Sequence, residues 1–213
     1  GHSDSRNLLN TVEVYDPTTG LFTAVAPMPA ERTEASAVVL PDGNILVTGG
    51  WTGSVTTDSA FLYDVATNSW STLSSHLNYP RRAAVSLLLH DGRILIAGGK
   101  YGGLGEGHLE MYDPATRTFA PANDMPSFTI GRDGHTGHVL NDGKVVFFGG
   151  NDGYGNNLNQ ITIYDPASNS MIVQAATLTY TRYQHSSALL NDGRIVIIGG
   201  NYFHWSSADI FTE

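Results

Sequence analysis

A pair of adjacent glycines occurs four times in this chain, each time at the end of a short apolar run. Successive doublets are 49, 51 and 50 residues apart, at Gly49-Gly50, Gly98-Gly99, Gly149-Gly150 and Gly199-Gly200. An arginine lies 17 residues before each doublet, and an Asp-Gly pair lies between the two, starting at Asp42, Asp91, Asp142 and Asp192. Columns that stay in register in this way indicate one structural unit of about 50 residues, repeated along the chain.

Each unit predicts antiparallel strands. An Asp-Gly pair between two apolar runs is a strong hairpin signal, because glycine supplies the positive φ of a tight turn. The run before each doublet, such as Val145 to Phe148, is apolar on both sides and should be buried on both faces. A third run ends in Tyr-Asp, at Tyr15, Tyr63, Tyr112 and Tyr164, and a bulky residue seven positions later opens a fourth. Four antiparallel strands without helical periodicity are typical of a propeller blade.

These columns resemble the Kelch repeat, in which an arginine and sometimes a histidine precede an apolar strand ending in Gly-Gly, followed by Tyr-Asp and a tryptophan at a fixed offset. The tryptophan column of this chain departs from that pattern, since it reads Phe22, Trp70, Phe119 and Met171. The match covers essentially the whole chain. Ala35 and Ala84 stand where the other two units have His135 and His185, and Phe211 replaces the last tyrosine. The resemblance implies an all-β fold, a Kelch-type β-propeller of four-stranded antiparallel blades, with about four repeats in this chain.

The repeats divide a single propeller domain, 1–213, into blades. Residues 1–31 supply the outer strands of a split blade, 32–80, 81–131 and 132–181 are full blades, and 182–213 supply the first three strands of a last blade. Gly1 falls where the second glycine of an upstream doublet would stand. Because an open arc has bare apolar faces, we expect a fragment of a longer protein, two copies joined into an eight-blade ring about a two-fold axis, or a four-blade ring.

Composition restricts the partners. The formal charge of -9, with lysine only at 100 and 144, argues against nucleic acid and anionic membranes, since both favour clustered positive charge. No apolar stretch approaches the ~20 residues of a spanning helix, so we expect no membrane insertion. The chain has no cysteine and no glycosylation sequon, which leaves the compartment open. A secreted or cell-surface bacterial location is favoured over the cytoplasm.

No cofactor and no metal are expected. Without cysteine, the cross-linked copper site of the galactose-oxidase-like members of the family cannot form, and the Glu-x3-Asp-x3-His run of the iron-dependent specifier proteins is absent. His135 and His138 are three apart, so on a strand they point to opposite faces and cannot share an ion without a bulge. The loop from Asn151 to Asn157 lacks the alternating carboxylates of a calcium loop.

The candidate ligand-binding residues follow from the family resemblance and lie at one rim of the propeller. The loops after the doublets (51–58, 100–108, 151–159 and 201–207) differ between units and carry aromatic side chains, which are frequent binding anchors. The candidates are Trp51, Tyr101, Tyr154, Tyr202, Trp205, Arg32, Arg81, Arg132, Arg182, His135 and His185. The arginines have a second interpretation, in which they tie neighbouring blades together by bonding to loop carbonyls. The histidines also have a second interpretation, in which they form hydrogen bonds across blades.

Two classes of function fit this pattern. The first is a non-catalytic interaction module whose rim recognises a protein segment or a glycan. The alternative is a metal-independent carbohydrate-active enzyme similar to the Kelch-type sialic acid mutarotases. Spacing alone locates no catalytic residue, neither a nucleophile with an adjacent base nor a close carboxylate pair. A glycan would favour the aromatic side chains, and an acidic peptide would favour the arginines.

Overall fold

The computed structural model describes residues 1, 7–120, 126–200 and 207–212 and confirms the predicted all-β fold. The sheets form a four-blade β-propeller. None of the described residues forms a helix that could cross a bilayer.

The strands follow the repeat. An N-terminal hairpin is formed by β1 (Val12–Asp16) and β2 (Leu21–Val25). Blade 1 contains β3 (Ser36–Val39), β4 (Ile45–Thr48), β5 (Ala60–Asp64) and β6 (Ser69–Thr72). Blade 2 contains β7 (Val85–Leu88), β8 (Ile94–Ala97), β11 (Leu109–Asp113) and β12 (Thr118–Phe119), and its doublet loop adds a small hairpin of β9 (Lys100–Tyr101) and β10 (Leu104–Gly105).

The remaining two blades repeat the same antiparallel order from the inside outward. Blade 3 contains β13 (Thr136–Val139), β14 (Val145–Phe148), β15 (Gln160–Asp165) and β16 (Ser170–Thr177). Blade 4 has three described strands, β17 (Ser186–Leu189), β18 (Ile195–Ile198) and β19 (Ala208–Phe211).

The hydrophobic core lies between successive blades. The strands before the doublets are its centre, and every residue of β8 and β14 is buried. Ile94 and Ile96 of blade 2 pack with Leu46 and Leu62 of blade 1, and a comparable cluster joins each later pair of blades. Side chains on both faces of these strands enter an apolar cluster, which is why the sequence shows a continuous apolar run there.

The tyrosine column and the bulky residue seven positions later are cross-strand partners. Tyr63 pairs with Trp70 and Tyr112 with Phe119, and in both pairs the ring centroids are 4.9 Å apart. Such facing aromatic pairs stabilise a sheet. The fixed spacing in the sequence therefore records the register between the third and fourth strands.

The doublets join neighbouring blades through main-chain hydrogen bonds. The amide of Gly50 donates to the carbonyl of Arg81 at 2.8 Å, and Gly99 and Gly150 make the same bond to the arginine of the following blade. The amino group of Gly1 donates to the carbonyl of Arg32 at 2.7 Å, so Gly1 makes the bond that the second glycine of each doublet makes to the following blade. Close approach of two backbones explains why glycine recurs here.

The two ends of the arc expose apolar side chains. Tyr15 is 51% exposed, whereas its equivalents Tyr63, Tyr112 and Tyr164 are at most 4% exposed. Ile210 in β19 is also exposed. Among the described strands, β1 and β2 pair only with each other, and neither of these two pairs with β17, β18 or β19. The pairing expected for a closed four-blade ring is therefore not formed by these strands.

Candidate functional site: the upper rim

The upper face of the propeller carries the candidate binding residues that the structure describes. Each inner strand runs from its arginine down to an Asp-Gly turn, and the second strand returns to the Gly-Gly doublet. The arginines, the doublets and the loops after them therefore share one face, which we call the upper rim. The Asp-Gly and Tyr-Asp turns lie on the opposite, lower face.

The four arginines are buried and bonded within their own blades. They are between 0 and 2% exposed, and each donates to the carbonyl of the first glycine of its own doublet, at 2.8 to 3.2 Å. The links to the neighbouring blades come instead from the arginine main chain. The side chains of Arg32, Arg81, Arg132 and Arg182 thus hold the top of each blade together and face the interior of the protein.

The second partner of each arginine differs from blade to blade. Arg81 forms a fully buried ion pair with Glu110 (2.5 Å), and Arg182 pairs with Asp209 (2.6 Å). Arg132 donates to the amide oxygen of Gln160 (2.7 Å), and Arg32 lies over the ring of Phe61, at 3.8 Å from its centroid. Burial lowers the pKa of both Arg32 and Arg132 to about 10. Arg32 and Arg132 therefore remain cations at neutral pH.

His135 and His185 lie at blade interfaces, where each packs on the doublet of the preceding blade. A Cβ on Gly98 would lie 2.6 Å from Cε1 of His135, so only glycine leaves room for the imidazole. Burial, reinforced by Arg132, holds the pKa of His135 well below its usual range, and burial lowers the pKa of His185 to about 4. Both are therefore neutral, buried residues of the interface. His185 also bonds to the hydroxyl of Thr136 in the neighbouring blade, at 3.0 Å.

The structure does not bring the histidines together around an ion. His138 bonds through Nε2 to the hydroxyl of Ser187, at 2.7 Å, and burial lowers its pKa. Among the described residues, no three His, Asp or Glu side chains are grouped as metal ligands.

The loop aromatics differ from the arginines in being accessible. Tyr154 is 76% exposed and Tyr101 is 53% exposed. Trp51 is half-buried, and the guanidinium of Arg82 lies over its ring, 5.2 Å from the centroid. The other two predicted aromatics, Tyr202 and Trp205, lie outside the described residues.

The loops that carry the two exposed tyrosines pack directly on each other. The amide of Gly105 donates to the carbonyl of Asp152 at 3.0 Å, and Gly153 lies so close to Leu104 that a Cβ there would be 2.5 Å from its Cα. The carboxylate of Asp152 accepts from the amides of Tyr154 (2.8 Å) and Asn156 (3.0 Å). Tyr101 and Tyr154 therefore project from one continuous and internally bonded surface.

Two pairs of oppositely charged residues lie on the upper rim. Arg82 lies 3.2 Å from Glu34, and Lys100 lies 4.0 Å from Asp133. Burial raises the pKa of Asp133, while the nearby Lys100 opposes that shift. Each cation of this part of the rim thus has a carboxylate beside it.

A histidine–carboxylate pair on the same face was not anticipated from the sequence. Nδ1 of His108 is hydrogen-bonded to Oε1 of Glu106, and the imidazole stacks on the ring of Tyr79 at 4.0 Å. Burial would raise the pKa of Glu106, but hydrogen bonds from His108 and the nearby Arg81 outweigh it and lower that pKa. The Glu-x-His sequence, present in one repeat, was the available signal. The carboxylate at Nδ1 and the stacked ring of Tyr79 together fix the orientation of the imidazole.

The backbone of the upper rim contains a second unanticipated feature. The residue two positions after each arginine adopts a left-handed conformation, with φ of 55° at Glu34, 52° at Ala83, 60° at Gly134 and 52° at Gln184. The amide of Ala83 donates to the carbonyl of Glu34 in the preceding blade at 2.8 Å. This conformation turns the main chain toward the neighbouring blade.

The lower face has grooves between neighbouring turns. One is lined by His90, Arg93, Asp142 and Pro166, among others, and Arg93 there is already paired with Asp91 at 2.6 Å. The aspartates at this face accept hydrogen bonds from their own turns. Their role in the fold is therefore that of turn residues.

The sheet order, the arginine and doublet network and the tyrosine pairs together define a repeat-built β-propeller. A model of the Kelch motif matches residues 1–29, 32–76 and 81–126, more than half of the chain, and the chain belongs to the Kelch family. A search of curated proteins found no match. The solved structure of YjhT is similar with a TM-score of 0.74 and 18% identity, over 91% of this chain and 72% of that one, and at this identity the similarity shows the fold alone.

Proposed function

We propose that this Kelch propeller is a non-catalytic interaction module that binds a protein segment or a glycan at its upper rim. The observation that carries this proposal is the shared surface formed by Tyr101 and Tyr154. Large exposed aromatic side chains on a rigid surface lose little conformational entropy on binding, which favours them as anchors. They also stand on loops that differ from blade to blade, so they can select a particular partner.

Binding arrays of peptides and of glycans test the proposal. A ligand found on either array should bind Tyr154→Ala and Tyr101→Ala more weakly, by ~2 kcal/mol or more for a hot spot. Val65→Ala is the control, because Val65 is also exposed but lies in a turn of the lower face. Full affinity of both tyrosine variants, together with a loss in Val65→Ala, would move the site to the lower face.

The second candidate is a metal-independent carbohydrate-active enzyme, and the pair of Glu106 and His108 favours it. In the Nδ1–H tautomer, His108 would accept a proton at Nε2 while Glu106 stabilises the imidazolium. Anomeric exchange of reducing sugars, followed by NMR, tests this function. An enzyme of this kind should accelerate the exchange, and His108→Gln should abolish the acceleration while leaving rim binding unchanged. Exchange at the uncatalysed rate for a broad panel of sugars would exclude it.

We also propose that the exposed end faces, at Tyr15 and Phe22 on one side and Ile210 on the other, are covered by self-association or by further blades. Exposed apolar patches and unpaired strand edges are typical of surfaces that bind another chain. Light scattering on a size column gives the mass of residues 1–213. We expect a dimer or larger species that Phe22→Asp dissociates, and a monomer at all concentrations would contradict self-association.

A further inference from the structure

We infer, on the basis of the proposed binding rim, that its ligand is an uncharged oligosaccharide. The chemistry of the accessible side chains differs from what the sequence pattern suggests. Four arginines in a ring would favour an acidic peptide. However, their guanidinium groups are buried and already bonded to the carbonyls of their own doublets. They are therefore not available to a ligand on the surface.

The remaining charged groups near the tyrosines already have partners within the protein. Arg82 is paired with Glu34, and Lys100 lies beside Asp133. Asp152 uses its carboxylate to hold its own loop. A charged ligand would have to replace one of these partners, whereas an uncharged ligand leaves all of them in place. Neither an acidic nor a basic ligand therefore finds, among these groups, a charge that lacks a partner within the protein.

The shape of the site favours sugar rings over an apolar peptide. A peptide anchor normally enters a pocket in which its side chain is desolvated. Tyr154, at 76% exposure, does not line such a pocket but projects from the tip of its loop. The flat C–H face of a pyranose can stack on an exposed phenol ring without a pocket, and its hydroxyls remain free to bond to polar groups nearby.

Polar groups for those hydroxyls surround the two tyrosines. Asn156 is exposed beside Tyr154, and Gly102 and Gly103 at the tip of the β9–β10 hairpin bring main-chain groups close to Tyr101. The hydrogen bonds within the loop of Asp152 fix the position of Tyr154 before a ligand arrives. Such preorganisation reduces the entropy cost of binding.

Calorimetry with oligosaccharides of defined charge tests the inference. The uncharged probes are cellohexaose, maltohexaose and N-acetylated chitohexaose, the acidic probe is hexagalacturonate, and the basic probe is deacetylated chitohexaose. At least one uncharged probe should bind, with an affinity that changes less than about 2-fold when the salt concentration is raised tenfold. Tyr154→Ala should weaken that binding by roughly 10- to 30-fold. Tyr154→Phe and Val65→Ala should preserve it.

Two kinds of result would overturn the inference, and they can be told apart. If no uncharged probe binds, or if binding is confined to the charged probes, the ligand class is wrong. The binding rim itself would survive this result if a charged probe or an array peptide loses affinity in Tyr154→Ala. If an uncharged probe binds the wild-type protein, Tyr154→Ala and Tyr101→Ala equally, the rim is not the site, and the proposed function fails with the inference.

Discussion

Replacing Gly98 by alanine should destabilise the propeller far more than the same change at Gly20. Both glycines have a left-handed backbone, with φ of 61° and 72°. They differ in their surroundings, since a Cβ on Gly98 would lie 2.7 Å from the carbonyl oxygen of Arg132 and 2.6 Å from Cε1 of His135. Around Gly20 there is nothing within 4 Å. The pair therefore separates the cost of backbone conformation from the cost of contact between blades.

The size of the effect can be worked out from these contacts. A left-handed alanine costs about 1 kcal/mol, and this is all that Gly20→Ala should lose. At Gly98 the overlap adds about 1 to 3 kcal/mol. The carbonyl of Arg132 must also move away from the amide of Gly99, which now donates to it at 2.8 Å, and this costs about 1 kcal/mol more. We expect Gly98→Ala to lose about 3 to 5 kcal/mol in total.

Urea unfolding followed by circular dichroism measures these losses. The midpoint of Gly98→Ala should fall by about 1 to 2 M, with little change in the slope, while that of Gly20→Ala moves by a few tenths. The double variant Gly98→Ala/His135→Ala should recover part of the loss, because it removes the imidazole overlap but not the overlap with the carbonyl. Alanine already stands at the position equivalent to His135 in blades 1 and 2, as Ala35 and Ala84.

Equal destabilisation by Gly98→Ala and Gly20→Ala would refute this reasoning, since the cost would then come from φ alone. Strict additivity in the double variant would also contradict it, because it would show that Gly98 and His135 do not interact.

Three further changes in stability are expected, each read from urea midpoints. The imidazole of His185 has a pKa near 6.5 in the unfolded chain and about 4 in the folded protein, so its contribution to stability is complete above pH 6.5 and falls by about 3 kcal/mol as the pH drops to 4. His185→Ala should flatten this part of the pH profile of stability, and an unchanged profile would contradict the prediction. Glu110→Gln should cost about 3 to 5 kcal/mol of stability, because it leaves the buried Arg81 without its charge partner. Glu34→Gln, at a more exposed ion pair, should cost less than about 1 kcal/mol. Similar losses in the two variants would show that burial does not decide the cost of removing the carboxylate. Ala83→Gly should stabilise by about 0.5 to 1 kcal/mol by relieving a φ of 52°, and a loss of stability would show that this conformation is not strained.

The repeated elements of the fold were predictable because they depend on short stretches of chain. Asp-Gly specifies a turn through the conformations open to glycine, and the apolar runs before the doublets specify strands buried on both faces. The spacing from Tyr63 to Trp70 follows from the register of two strands joined by a short turn. Four copies of the same pattern then reinforced each prediction.

The candidate site was predicted less completely, because equal spacing in sequence does not show which way a side chain points. Arg132 and Tyr154 both stood out, but Arg132 is buried and Tyr154 is exposed. The pair of Glu106 and His108 was not anticipated, since it belongs to one repeat and its stacking partner, Tyr79, comes from the linker before blade 2.

The amino-acid sequence by itself determined the repeat, the strands, the turns and the family, because these depend on local conformational preferences and on apolar periodicity. Only the tertiary structure decided the partners of the buried charges, the packing of His135 against Gly98 and the open ends of the arc. Those features depend on distances between residues that lie far apart in the chain. Such distances are set when the blades pack against one another, and no local pattern records them.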